Sequence, residues 1–207
     1  MWNYEKRLQF PVQIKTPNAE IAKIIITQYG GPDGELSASM RYLSQRYSIP
    51  DRKISGLLTD IGTEELAHFE MIGSIVHQLT KNLSMEEIED QGFAPYYVDH
   101  TLALWPQAAG GIPFNACEFQ SKGDTITDLF EDMAAEQKAR TTYDNILRLV
   151  KDPDVCAPIR FLREREIVHF QRFGEALRIT QDSLDSKNFY AFNNQFDRCK
   201  DCNDCKA

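Results

Sequence analysis

The chain has 207 residues, 42% of them hydrophobic and 26% charged, which suits one substantial core and excludes a wholly disordered chain. A formal charge of −8 with no basic stripe excludes a general nucleic-acid binder, and no apolar run is long enough to span a membrane. The five cysteines, Cys117 and Cys156 in the body and Cys199, Cys202 and Cys205 at the end, are too few and too lopsided for a disulfide-built scaffold.

The opening MWNYEKRLQF lacks a signal-peptide core, so synthesis in the cytoplasm without a signal peptide is expected. Residues 1–16, with Pro11 and then Pro17, read as an extended arm. The helical spacing of Ile21, Ile24, Ile25 and Gln28 resumes after Gly30-Gly31-Pro32 at Leu36, Met40 and Leu43, predicting a first helix over about 18–47, bent near Pro32. Asp51 caps a second helix over about 51–81, whose inner stripe is Ile54, Leu58, Ile61, Glu65, His68, Ile72, Ile75 and Leu79. Residues 82–122 carry many turn residues and aromatics, and read as a long ordered crossover.

Asp124 caps a third helix over about 124–151 with the stripe Ile126, Leu129, Met133, Glu136, Arg140, Tyr143, Leu147 and Val150. Asp152-Pro153 starts a fourth over about 153–181, with Val155, Ile159, Leu162, Glu166, His169, Phe173 and Leu177 inward and Pro158 expected to distort its first turns. Two helical pairs joined by a long crossover predict an all-α, ferritin-like four-helix bundle over 1–180, followed by a Cys-rich tail over 181–207.

Polar residues sit in the middle of these apolar stripes, where burial without partners costs roughly 2–7 kcal/mol for a neutral group and more for a charge. Glu65 and His68, and Glu166 and His169, are two copies of Glu-x-x-His, a spacing that puts both side chains on one helix face. Glu35 and Glu136 add one carboxylate from each remaining helix, which completes a dimetal-carboxylate ligand pattern. Either motif alone is ordinary on a solvated face. Both, however, are flanked by apolar residues one turn away, namely Ile61 and Ile72, and Leu162 and Phe173. Four carboxylates balance two divalent cations, and a carboxylate and imidazole set without cysteine suits manganese or iron.

The segments GGPDGELSASMRYLSQRY, TEELAHFEMIGSIVHQL, GDTITDLFEDMAAEQKARTTYDNIL and REIVHFQRFGEAL resemble the manganese catalase family, closest to its short spore-coat branch of CotJC type. The resemblance covers residues 1–180 or so. It implies two manganese ions, one on Glu35 and His68 and the other on Glu136 and His169, with Glu65 as the bridge. It makes Glu166 a weak ligand or neighbour and a proton relay, and Tyr42 the orienter of a carboxylate ligand. It also implies hydrogen peroxide as substrate, disproportionated to oxygen and water, a place in the spore coat beside other coat proteins, and a homo-oligomer.

Family members can carry a basic residue beside the cluster, whereas here Ala135 precedes Glu136, leaving Lys138 and Arg140 as the nearest substitutes. Arg140 shares the seam with Glu136 and is therefore a further candidate. His77 and His100 have no matched partners. The tail FDRCKDCNDCKA suits reduced thiols, a thiolate metal site with a fourth ligand from elsewhere, or intermolecular disulfides in an oxidised coat. Two other functions stay open: a di-iron oxidase or peroxidase, and a structural coat protein stabilised by its metals.

Overall fold

The computed structural model of the chain describes residues 7–184, so the cysteine tail and the first six residues lie outside the described part. The described residues are helical, with no named strand and one isolated bridge between Gln107 and Pro113. None of their helices is long and apolar enough to cross a membrane.

Three long helices begin where an aspartate accepts otherwise unpaired backbone N–H groups. Asp51 caps α4 (Arg52–Thr80) through Lys53 and Ile54, Asp124 caps α7 (Thr125–Leu149) through Thr127, and Asp152 caps α8 (Pro153–Ser183) through Asp154. Pro158 lies inside α8, which runs on through it although the proline gives up the hydrogen bond its N–H would have made to the Asp154 carbonyl.

The first predicted helix is instead three: α1 (Ala19–Ile25), α2 (Thr27–Gly30) and α3 (Glu35–Gln45). The chain breaks rather than bends, because the glycines let backbone pass close to backbone. A Cβ on Gly30 would stand 2.4 Å from backbone atoms of Pro106 and Gln107, and one on Gly31 would stand 2.4 Å from the carbonyl oxygen of Thr27. The break makes Glu35 the first residue of α3, where the helix dipole favours a carboxylate.

The inner face of α3 also differs from the apolar spacing. Met40 is 41% exposed, whereas Ser37, Ser39, Arg41 and Gln45 are buried. Carbonyl groups explain this. Arg41 donates to those of Phe119 and Glu118, and Gln45 to that of Gln120, which pins the end of the crossover onto α3. The crossover itself carries α5 (Met85–Asp90), closed by a Ser84–Glu87 capping box, α6 (Ala94–His100) and a 3-10 turn at Ala116–Phe119.

The N-terminal arm docks through Gln78, which receives Ile14 N–H at 2.8 Å and donates to the Val12 carbonyl at 2.9 Å. α3 packs along α4, and α7 along α8. Their apolar side chains form two separate clusters. One gathers Ile54, Leu58 and Ile61 of α4 with Leu129 and Phe173; the other gathers Met71, Ile72, Ile75 and Leu79 with Ile146, Ile159 and Leu162. Glu65 and His68 lie between the two clusters on α4, so the polar centre is a layer enclosed on both sides by hydrocarbon.

Candidate metal centre

The structure brings Glu35, Glu65, His68, Glu136, Glu166 and His169 together, every one at most 2% exposed. They form two overlapping groups whose ligand atoms lie within 4.8 Å of one another: Glu35, Glu65, His68 and Glu166, and Glu65, Glu136, Glu166 and His169. Glu65 and Glu166 belong to both groups. Each histidine turns Nδ1 inward, His68 Nδ1 to 2.6 Å from Glu65 Oε2 and His169 Nδ1 to 2.7 Å from Glu65 Oε1. Glu35 Oε2 stands 3.7 Å from His68 Nδ1 and Glu136 Oε2 3.5 Å from His169 Nδ1, so each outer glutamate partners one histidine.

Several of these atoms are orphans. Glu136 Oε2 and Glu166 Oε1 have no hydrogen-bond partner despite full burial, and Glu65 Oε1 and His169 Nδ1, though 2.7 Å apart, are not aligned for a hydrogen bond. Unpaired buried acceptors cost free energy that a cation among them would recover, so the donor set fits a pair of metal ions.

The two central glutamates differ in charge. Burial pushes Glu65 upward, but the charges of His169 and His68 outweigh it and hold the carboxyl well below its usual range. Glu166 has less such help, the charge of His169 alone pulling it down. Burial and then the charges of Glu35, Glu136 and Glu65 hold it well above the carboxylate range. Glu35 is pushed up to about 8 by burial and by Glu65.

Two buried tyrosines cross between helices. Tyr42 of α3 donates its hydroxyl to Glu136 Oε1 on α7, and Tyr143 of α7 donates to Glu35 Oε1 on α3. Tyr42 thus sits on the carboxylate opposite its own helix. Tyr143 was legible in the sequence only as a core position. Glu64 is also new: it lies 3.1 Å from His169 Nε2 and 3.6 Å from His68 Nε2, behind both rings, and takes two hydrogen bonds from Arg165.

Arg140 is placed elsewhere. Its guanidinium donates to Asp144 at 2.6 Å and to Gln137 at 3.0 Å, in a partly exposed network shared with Arg163. Lys138 likewise turns to Asp33 and Glu131. His77 is exposed, and His100 stacks on Trp105 in the crossover.

The paired geometry has a counterpart in the numbering. Glu35 and Glu136, Tyr42 and Tyr143, Glu65 and Glu166, and His68 and His169 are all separated by the same 101 positions, as are the helix caps Asp51 and Asp152. The chain is therefore two similar halves, each supplying a glutamate, a tyrosine and a Glu-x-x-His pair.

The family model described as manganese containing catalase matches residues 1–198. The chain belongs to that family. It is 53% identical over 190 residues to Protein CotJC of Bacillus subtilis, covering 92% of this chain and all of that one. A probable manganese catalase of Clostridium acetobutylicum is 33% identical over 91% of this chain and 85% of its own length. The crystal structure of KatB, a manganese catalase from Anabaena, superimposes with a TM-score of 0.83 at 30% identity, over 93% of this chain and 85% of that one. Membership of the manganese catalase family and an all-helical architecture like KatB's thus agree with a buried carboxylate and histidine centre.

Proposed function

We propose that this chain is a dimanganese enzyme of the spore coat that disproportionates hydrogen peroxide to oxygen and water. In this reading Glu35 and His68 hold one ion, Glu136 and His169 hold the other, Glu65 bridges them, and Glu166 stands alongside. The observation that carries it is the pair of buried ligand groups sharing Glu65 and Glu166 between two histidines. Family membership supports manganese over iron and likeness to CotJC supports the coat. The helix order, with its long segment between α4 and α7, supports a ferritin-like crossover bundle.

When bound, two manganese ions supply the two-electron change that takes one peroxide to oxygen and a second to water. The chain's own work is protonic and steric. Oxygen release from the first peroxide sets free two protons that the second must take up, and Glu166 is the carboxyl suited to hold one: ionised at the start, it would take up a released proton at Oε1, where burial favours the neutral form, and give it to the second peroxide. Tyr42 and Tyr143 fix the rotamers of Glu136 and Glu35. The apolar clusters on either side keep bulk water and larger reductants away.

One observation favours a second reading, a coat protein whose cluster is mainly structural: the guanidinium of Arg140 is committed to Asp144, which leaves no basic partner from that position at the centre. Metal analysis of protein grown with both manganese and iron, followed by oxygen evolution from peroxide, separates the readings. Two manganese per chain with oxygen release is expected. Iron occupancy supports the di-iron oxidase or peroxidase, and a filled manganese site without turnover supports the structural protein.

A further inference from the structure

Glu64 and Arg165 are equivalent positions in the two halves, each directly preceding the glutamate of a Glu-x-x-His pair. At the ligand positions the repeat sets like residues opposite like. Here it sets opposite charges, and the two bind each other: Arg165 Nε donates to Glu64 Oε1 at 2.7 Å and Nη2 to Oε2 at 3.1 Å. The same carboxylate faces the outer ring nitrogens of both histidines: Oε2 is within hydrogen-bond distance of His169 Nε2 at 3.1 Å, while Oε1 stands 3.6 Å from His68 Nε2, a buried nitrogen with no hydrogen-bond partner and no nearer acceptor than this carboxylate. Both rings are completely buried, so their outer nitrogens depend on a protein acceptor rather than on water.

We propose that Glu64, clamped by Arg165, is a positioning carboxylate shared by both halves of the metal centre. It holds each imidazole with Nε2–H outward and the Nδ1 lone pair toward the ion. The inference rests on the dimetal reading above, but on neither manganese nor peroxide. A carboxylate behind a ligating histidine fixes its tautomer and ring angle and makes it a better donor, and losing such a partner lowers metal affinity by about 10–100-fold. A single carboxylate behind two ligands couples the half-sites, so one substitution weakens both.

The test uses the full chain with Zn(II), a diamagnetic probe, and reads affinity by chelator competition, ring tautomers by nitrogen NMR of labelled histidine, and Tm of the metal-free protein. Wild type is expected to bind two Zn(II) with both histidines protonated at Nε2. Glu64→Gln should weaken both half-sites by about 10–100-fold, and Arg165→Gln should do so less. The charge swap Glu64→Arg with Arg165→Glu keeps an ion pair at this edge but turns a guanidinium on the rings. It should restore the Tm of the single variants and not their affinity. Wild-type affinity in Glu64→Gln, a loss at only one half-site, or a swap that restores both Tm and affinity would overturn the proposal and leave a merely structural ion pair. A wild-type chain that fails to take up two Zn(II) would overturn the dimetal reading as well, which keeps the two failures distinguishable.

Discussion

Removing one tyrosine hydroxyl should weaken one half of the centre and spare the other. In the Tyr143→Phe variant the ring stays in place, but Glu35 Oε1 loses its donor. Water cannot replace it, because Tyr143 is fully buried and Glu35 only 2% exposed. A hydrogen bond to a charged group contributes roughly 1.5–3 kcal/mol, and about 1.4 kcal/mol is a factor of ten in affinity. Glu35 is already held up at about 8 without an ion, by burial and by Glu65, so loss of a donor to its ionised form makes metal uptake harder still. The half formed by Glu35 and His68 should therefore bind Mn(II) about 10–100-fold more weakly.

Tyr42→Phe removes the donor to Glu136 and should weaken the half formed with His169 by a similar factor, while its ring keeps the 4.8 Å contact with Phe173. Chelator competition decides the matter when each variant is measured in His68→Ala and His169→Ala backgrounds, which leave a single half-site. Tyr143→Phe should matter only where His68 remains, and Tyr42→Phe only where His169 remains. If both act on the same half, or both on the two equally, the cross-helix assignment is wrong.

Asp132, fully buried with both oxygens unpartnered, is held well above the carboxylate range by burial against the weaker pull of Gln45 and Arg41. Its raised folded pKa makes the native state relatively most stable below about pH 3.9 and costs stability as pH rises past that unfolded value. Asp132→Asn should accordingly gain about 1–3 kcal/mol at pH 7 and nothing near pH 3, read by urea unfolding at both. Gly30→Ala drives a methyl into the backbone of Pro106 and Gln107 and should cost about 1–3 kcal/mol or more, with faster proteolysis of the crossover. Arg140→Gln should change stability by less than about 1 kcal/mol and leave metal content at its wild-type level; loss of metal would place the guanidinium back at the centre.

How much of this was legible beforehand depended on which residues announced themselves. Asp51, Asp124 and Asp152 announced the long helices, whose starts lie within one residue of expectation, because a capping aspartate before an apolar stripe has few other uses. The first helix was misread for a matching reason. Its apolar spacing continues across Gly31–Gly34, and nothing in hydropathy shows that the glycines there let segments close on one another. The inner face of α3 was hidden too, since Arg41 and Gln45 are buried by carbonyl groups roughly 75 residues away in sequence. Glu64 stayed invisible because a residue adjacent to a ligand points about 100° around the helix and reads as a solvated edge. Only the pairing with Arg165 and the second histidine reveals its place.

The spacing of the two halves could not have told Glu65 from Glu166, because the repeat makes them equivalent. What separates them is the distribution of positive charge. Glu65 meets an imidazole at each oxygen, at 2.6 and 2.7 Å, so ionising it is favourable even in a buried site. Glu166 is left among three other carboxylates, and a fourth negative charge there is the one the site rejects. A duplicated motif thus meets two environments, one that favours an ionised carboxylate and one that favours a neutral one, from the placement of two histidines rather than from any difference in the glutamates themselves.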